Sequence, residues 1–340
     1  MSGCASMALV SRRSKATSCL TGPQQQPQPE SAMYIDPQIK AFIDDLSALD
    51  MPHPVDLGLQ ATREGFSQLW QQINPPTRES VKIADVEIPG PAGDIRVRTY
   101  TPQGNGPFPV LAYFHGGGCC MMAPEDYDGS SSALAEDAGV IVVTPAYRRA
   151  PEHPFPAPLE DCFATYVWLR YNAAELGGDP TRVAVAGDSG GGYLAAAVTQ
   201  EAKRENAPQP ALQVLIYPMT DMGGLPTSRI EETMFLDDRT LQWVIDMHVG
   251  ENRLDPRASP ILEPDVSDLA PAVMIAAQID PLRDEGKAYA SKLRNAGVSV
   301  RYHLYEGVVH GFFNMGGFCD QGNAALAQVT GALQTAFRRG

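Results

Sequence analysis

The sequence lacks the features that would take it to a nucleic acid or into a bilayer. Its 340 residues hold 26 Lys and Arg against 40 Asp and Glu, a net charge of −14, with no basic run dense enough to reverse that locally. Nucleic acids and anionic membrane surfaces are therefore poor partners. No apolar stretch approaches the ~18 residues that a membrane-spanning helix needs. The six cysteines (Cys4, Cys19, Cys119, Cys120, Cys162, Cys319) show no C-x-x-C metal spacing. The adjacent Cys119 and Cys120 make a poor disulfide, so reduced thiols in a cytoplasm are expected. There is no G-x-G-x-x-G, and no Lys-Ser or Lys-Thr behind a glycine run, which argues against a phosphate loop.

What remains is ordinary globular composition, 44% hydrophobic and 19% charged, in a chain long enough for one large α/β domain with an added piece. Residues 1–32, rich in Gln, Pro and small residues, lack apolar periodicity and are expected to be a disordered extension. The short apolar piece precedes Arg12, Arg13 and Lys15, the reverse of a secretory leader, and the arginine pair is only a faint twin-arginine likeness. Met33 is an alternative start, which intact mass of the native protein would settle.

Residues 36–49 and 59–73 carry apolar residues at helical spacing and read as two amphipathic helices within an N-terminal segment, 33–76. Strand-like runs follow at 81–88, 94–100, 109–114, 140–145, 182–186, 212–217, 272–279 and 298–305. Helical stretches near 130–138, 158–176, 191–205, 283–296 and 323–338 intervene. The pattern predicts an α/β fold over 77–340, an open, mostly parallel eight-stranded sheet with helices on both faces. Its first two strands, with no helix between them, should form an antiparallel edge. About fifty residues separate the strand ending at Pro218 from the next, more than a crossover needs. Residues 220–250 are read as an insertion above the sheet, joining the N-terminal helices as a cap.

Against this frame stands "VAVAGDSGGGYLAAA", residues 183–197. Its Gly-Asp-Ser-Gly-Gly also occurs around trypsin-type nucleophiles, but those lie in β-barrels. Here Ser189 falls between a strand and a helix, where ligands of open α/β sheets bind. Gly187-Asp188-Ser189-Gly190-Gly191 is a G-x-S-x-G turn, whose sharp fold needs small residues two before and two after the serine. A serine nucleophile needs a base. Of the six histidines, His310 in "EGVVHGFF" lies just past the last strand, at the same edge of the sheet. Asp280, directly after "VMIAAQI", is the better acid; Asp284 and Glu285 belong to the next helix. The order Ser, Asp, His is that of α/β-hydrolases. His115-Gly116-Gly117-Gly118 after another strand supplies glycines that let backbone N–H groups approach an oxyanion.

From about residue 77 to 338 the sequence resembles the hormone-sensitive lipase family of α/β-hydrolases, the bacterial family IV esterases. The motifs are "HGGG" (115–118), "YRRAPEHPFPAPLED" (147–161), "GDSGGG" (187–192), "DPLRDEG" (280–286) and "HGF" (310–312). The resemblance implies Ser189 as nucleophile, His310 as base and Asp280 as orienting acid, with the N–H groups of Gly117, Gly118 and Gly190 as the oxyanion hole. It implies cofactor-free hydrolysis of short- to medium-chain acyl esters beneath a helical cap. Glu152 and Asp161 are expected to tie the glycine loop in place. His115, Gly116, Asp188, Cys119 and Tyr193 are expected to brace or border the site. Three positions depart from the family pattern: Gly190 stands where alanine is usual, Arg149 where leucine is commoner, and Cys119–Met122 where many relatives carry bulkier residues. That last stretch either borders the pocket or fills the core. The expected partner is a small ester, and a homodimer is left open. An amidase, deacetylase or lactonase would use the same triad; a non-catalytic receptor would not need His310.

Overall fold

The central strands carry long apolar runs, and that determines where they sit. The computed structural model describes residues 33–224 and 235–338; the expected extension at 1–32 and residues 225–234 of the expected insertion lie outside them. The strands are β1 (Lys82–Ile88), β2 (Ile95–Thr101), β3 (Phe108–Phe114), β4 (Ile141–Pro145), β5 (Gly178–Asp188), β6 (Gln213–Ile216), β7 (Ala272–Ile279) and β8 (Val300–Val309). They form one sheet in the order β1-β2-β4-β3-β5-β6-β7-β8. β4 and β6 are buried at every residue and β7 at all but Gln278, as strands covered on both faces must be. The outer strands β1 and β8 alternate instead, with one face toward water. β1 and β2 pair antiparallel with each other, β2 antiparallel with β4, and every other pairing is parallel.

Nine helices occur among the described residues: α1 (Pro37–Ala48), α2 (Pro54–Leu57), α3 (Leu59–Ile73), α4 (Asp128–Ala138), α5 (Ala157–Asn172), α6 (Gly190–Arg204), α7 (Asp238–His248), α8 (Arg283–Asn295) and α9 (Asp320–Phe337). Local signals explain their starts. Asp36 accepts from the Gln38 N–H ahead of α1, with Pro37 in the first turn, and Asp237 accepts from the Thr240 N–H ahead of α7. The stretch expected to be helical to 176 leaves α-geometry at Asn172 and ends in a short 3₁₀ turn, Ala173–Leu176.

The N-terminal helices meet the segment beyond β6. His53, ahead of α2, bonds through Nε2 to Asp237 at 2.7 Å, and Arg239 of α7 pairs with Asp56 of α2. α3 and α7 together overhang the carboxyl ends of the central strands, where Phe66, Trp70, Leu241 and Val244 line a cleft.

At the last residue of α7, His248 is fully buried, edge-on to Tyr193 (5.6 Å between ring centroids) and Phe155 (6.3 Å). Neither ring nitrogen has a partner among the described residues, and burial lowers its pKa to about 3. The unfolded chain takes up this proton near pH 6.5 and the folded chain does not. Stability is thus lost as pH falls from ~6.5 toward ~3, by about 1.4 kcal/mol per pH unit. His115, also lowered to about 3 by burial, acts the same way. We expect His248→Phe to lose about 2–3 kcal/mol less stability between pH 7.5 and 4.5 than the parent. Urea unfolding at the two pH values checks this; equal losses would refute it.

Candidate active site

Four loops at one edge of the sheet converge on Ser189. β5 ends at Asp188 and α6 begins at Gly190, so the serine occupies the turn alone, with φ 56° and ψ −120°. A side chain in that conformation is strained, and the turn holds only because its neighbours leave room. A Cβ on Gly191 would stand 1.9 Å from the Phe114 carbonyl oxygen, so no larger residue fits there.

His310 follows β8 and Asp280 follows β7. His310 Nε2 lies 2.9 Å from Ser189 Oγ, and its Nδ1 lies 2.8 Å from Asp280 Oδ2. Asp280 is fully buried, and its other oxygen accepts from the Leu282 N–H at 2.8 Å. Of the six histidines, His310 alone is bonded to Ser189. The Tyr217 ring lies 4.6 Å from the His310 ring and limits its rotation. A carboxylate on Nδ1 favours the tautomer that leaves Nε2 free to accept the serine proton.

The glycine run after β3 is held by its carbonyls. Each peptide plane carries a C=O and the next residue's N–H pointing opposite ways. The Gly116 carbonyl meets His115 Nδ1 at 2.9 Å, which turns the Gly117 N–H the other way. The Gly117 carbonyl accepts from Cys120 N at 3.0 Å and Met121 N at 2.9 Å, which turns the Gly118 N–H in turn. Among the described residues no protein acceptor takes the N–H of Gly117, Gly118 or Gly190. Gly190 packs against the run so closely that a Cβ on it would stand 2.8 Å from Gly118 Cα. Above these groups the cleft is walled by Phe66, Trp70, Met121, Met122, Leu241 and Val244.

The family model described as "alpha/beta hydrolase fold" matches residues 111–314, more than half of the chain. The chain belongs to the alpha/beta-hydrolase family. It is 39% identical over 271 residues to the carboxylic ester hydrolase LipN of Mycobacterium tuberculosis, covering 77% of this chain and 72% of that one. It is 40% identical over 282 residues to the ethyl acetate hydrolase of Pseudomonas putida, covering 80% and 88%. Among solved structures, the hyperthermophilic esterase of the archaeon Pyrobaculum calidifontis superposes with a TM-score of 0.84 at 35% identity, over 89% of this chain and 99% of that one.

In this hydrolase the remaining residues singled out in the sequence stand at different distances from the serine. Asp188 is buried beside it, its Oδ1 accepting from Tyr113 OH and its Oδ2 from Tyr127 OH and Asn314 Nδ2, at 3.0–3.2 Å. Tyr127 OH in turn accepts from the Gly116 N–H at 2.9 Å. Asp188 thus ties the glycine run to the serine turn. Burial raises its pKa to about 6, against the pull of the two tyrosines and His310. Asp161 does not touch the glycine run. It pairs with Arg148, beside Tyr147, whose hydroxyl donates to the His115 carbonyl at 2.9 Å. Glu152 reaches the run only through Arg63, which holds its carboxyl at about pH 2.

The Cys119–Met122 stretch divides: Met121 and Met122 line the cleft, while Cys119 and Cys120 are buried in the core as free thiols, as is Cys162. Tyr193 is fully buried against His248 and does not line the cleft. Arg149 donates to the Met122 carbonyl. Among the described residues no cluster of His, Cys, Asp and Glu could hold a metal, and no helix is long and apolar enough to cross a membrane. Sequence reasoning missed Arg63, Tyr113, Tyr127, Tyr147 and Asn314. None carries a local signal, because each meets its partner across 11–126 residues of chain.

Proposed function

We propose that this chain is a serine carboxylesterase of the hormone-sensitive lipase type, cleaving short- to medium-chain acyl esters through an acyl-enzyme. That it is a carboxylic ester hydrolase follows from relatives bearing that name along most of its length. The catalytic assignment rests on one observation above the others: the chain of 2.9 and 2.8 Å contacts from Ser189 through His310 to Asp280.

Ser189 Oγ attacks the ester carbonyl as His310 Nε2 takes its proton, and Asp280 stabilises the imidazolium. The oxyanion accepts from the N–H groups of Gly117, Gly118 and Gly190, a reading supported by their having no protein acceptor among the described residues. His310 then protonates the leaving alcohol. Water, deprotonated by His310, attacks the acyl carbonyl and releases the acid. The α1–α3 segment and α7 act as a cap whose apolar wall takes the substrate's hydrocarbon parts. The buried free thiols fit a reducing cytoplasm, and a homodimer is compatible with this reading without being required by it.

A series of p-nitrophenyl esters from acetate to palmitate, assayed with EDTA present, tests the proposal. Highest kcat/KM is expected on the short to medium chains. A preference for palmitate, no ester turnover, or loss of turnover in EDTA would each overturn it.

Gly190 offers a sharper check. Alanine there must push the glycine run or the serine turn outward, because the atoms it meets are backbone. Gly190→Ala is expected to lower kcat by about 10-fold or more with the fold intact, since displaced oxyanion donors lose most of their effect. Unchanged kcat would show that the loop yields freely.

A further inference from the structure

Arg63 lies on α3, 57 residues before the loop it grips. Its guanidinium is mostly buried, with the side chain 15% exposed. Nε donates to the Cys120 carbonyl at 2.8 Å and Nη2 to the Ala150 carbonyl at 2.9 Å. Nη1 and Nη2 pair with the Glu152 carboxylate at 2.7 and 2.8 Å, a bidentate bond that fixes the plane of the group.

What the two carbonyls do next is decided by peptide geometry. The Cys120 C=O shares a plane with the Met121 N–H, which donates to the Gly117 carbonyl at 2.9 Å. The Gly117 C=O shares a plane with the Gly118 N–H. A chain of amides therefore runs from the guanidinium through two peptide planes to Gly118. The Ala150 carbonyl only anchors the loop, because its peptide partner is Pro151, which has no N–H; the Ala150 N–H, in the preceding plane, donates separately to the Cys119 carbonyl at 2.9 Å. Hydrogen bonds in series polarise one another, and a cation at the head increases the donor strength at the tail. The loop needs such a hold, because Cys119 (φ 60°) and Met122 (φ 64°) both sit in left-handed conformations that oppose it.

We propose that Arg63 is a positioning residue of the oxyanion site, orienting and polarising from α3 the amide chain that ends on the Gly118 N–H. The site is then complete only while α3 is seated, so docking of the cap and stabilisation of the transition state are one event. This rests on the acyl-transfer reading above.

The test compares Arg63→Ala, Arg63→Gln and Arg239→Ala on p-nitrophenyl acetate, with inhibition by a phenylalkyl boronic acid, which forms a tetrahedral adduct on a serine Oγ. For Arg63→Ala, kcat is expected to fall about 10–100-fold, while KM stays within about threefold, as for an interaction made only in the transition state. The boronate Ki should rise by the same factor as kcat falls. Arg239→Ala, which breaks only the exposed pair with Asp56, should keep the parent kcat. Should Arg63→Ala not fold, Arg63→Gln, which keeps one amide donor, is read by the same criteria.

Three results would overturn the inference: unchanged kcat and boronate Ki, a rise in KM alone with a lowered melting temperature, or an equal loss of kcat in Arg239→Ala. Ser189→Ala run alongside separates the two proposals. If it stays active the acyl-transfer reading fails, whereas turnover that depends on Ser189 but not on Arg63 removes only this inference.

Discussion

Ser189→Ala is expected to leave a folded protein whose turnover of p-nitrophenyl acetate falls by about 10⁵–10⁶-fold, the scale at which losing a triad nucleophile is felt. The reason lies in the local geometry. Among the described residues no other hydroxyl is bonded to His310 Nε2, and the strained turn sets Ser189 in the lining of the cleft. Alanine fits the same backbone and leaves Gly117, Gly118 and Gly190 untouched, so if these supply the proposed oxyanion donors a small residual rate should persist. Steady-state kinetics, with circular dichroism to show the fold retained, decides the matter. Activity within tenfold of the parent would end the assignment of Ser189.

Asp280→Asn is expected to lower kcat by about 10⁴-fold with little change in fold. The carboxylate accepts from His310 Nδ1 at 2.8 Å while fully buried. An asparagine in its place can turn an NH₂ toward Nδ1, which moves the ring proton to Nε2. That tautomer cannot accept from Ser189 Oγ. It also removes the anion that stabilises the imidazolium, in a place where water cannot substitute. Asp284, the rival acid in the same "DPLRDEG" stretch, lies on α8 and pairs with Arg283 at the surface. Asp284→Asn should change kcat by no more than about twofold. The reverse outcome, a damaging Asp284→Asn and a harmless Asp280→Asn, would mean that the acid is misassigned.

Much of the fold was legible because its signals are local. Continuous runs such as "VIVVT" and "VMIAAQI" suit only strands covered on both faces, and they became β4 and β7. Alternation of such runs with helices leaves few topologies, and the parallel centre with an antiparallel edge followed. Ser189, Asp280 and His310 were legible for a related reason. Each directly follows a strand, and strands of a parallel sheet end at a common edge. Their approach to 2.9 and 2.8 Å was not in the letters, but their sharing of one edge was.

The glycine run was legible in part. Its composition pointed to backbone donors, yet which carbonyls turn those donors depends on His115, Tyr147 and Arg63, met across the fold. Asp161 and Glu152 illustrate the same limit. The sequence placed both near the loop; in the structure Glu152 pairs with Arg63, which grips Cys120, whereas Asp161 pairs with Arg148, the chain neighbour of Tyr147. The Cys119–Met122 stretch could not be apportioned either. With left-handed residues at Cys119 and Met122, the first pair of side chains goes to the core and the second to the cleft, and nothing in the order of residues announces such a turn.

By itself, then, the amino-acid sequence determined the layered α/β architecture, the turn that carries the serine and the edge at which Ser189, Asp280 and His310 gather. These depend on periodicity, on the size of residues beside a turn and on where strands end, all of which are written within a few residues. Only the tertiary structure decided what holds the oxyanion donors in line, how Asp188 joins the two halves of the site, and which of α3's side chains reaches the loop. Those are contacts between segments separated by tens of residues, chosen by the packing of whole elements, and an amphipathic helix does not reveal which of its polar residues will find a carbonyl across the cleft.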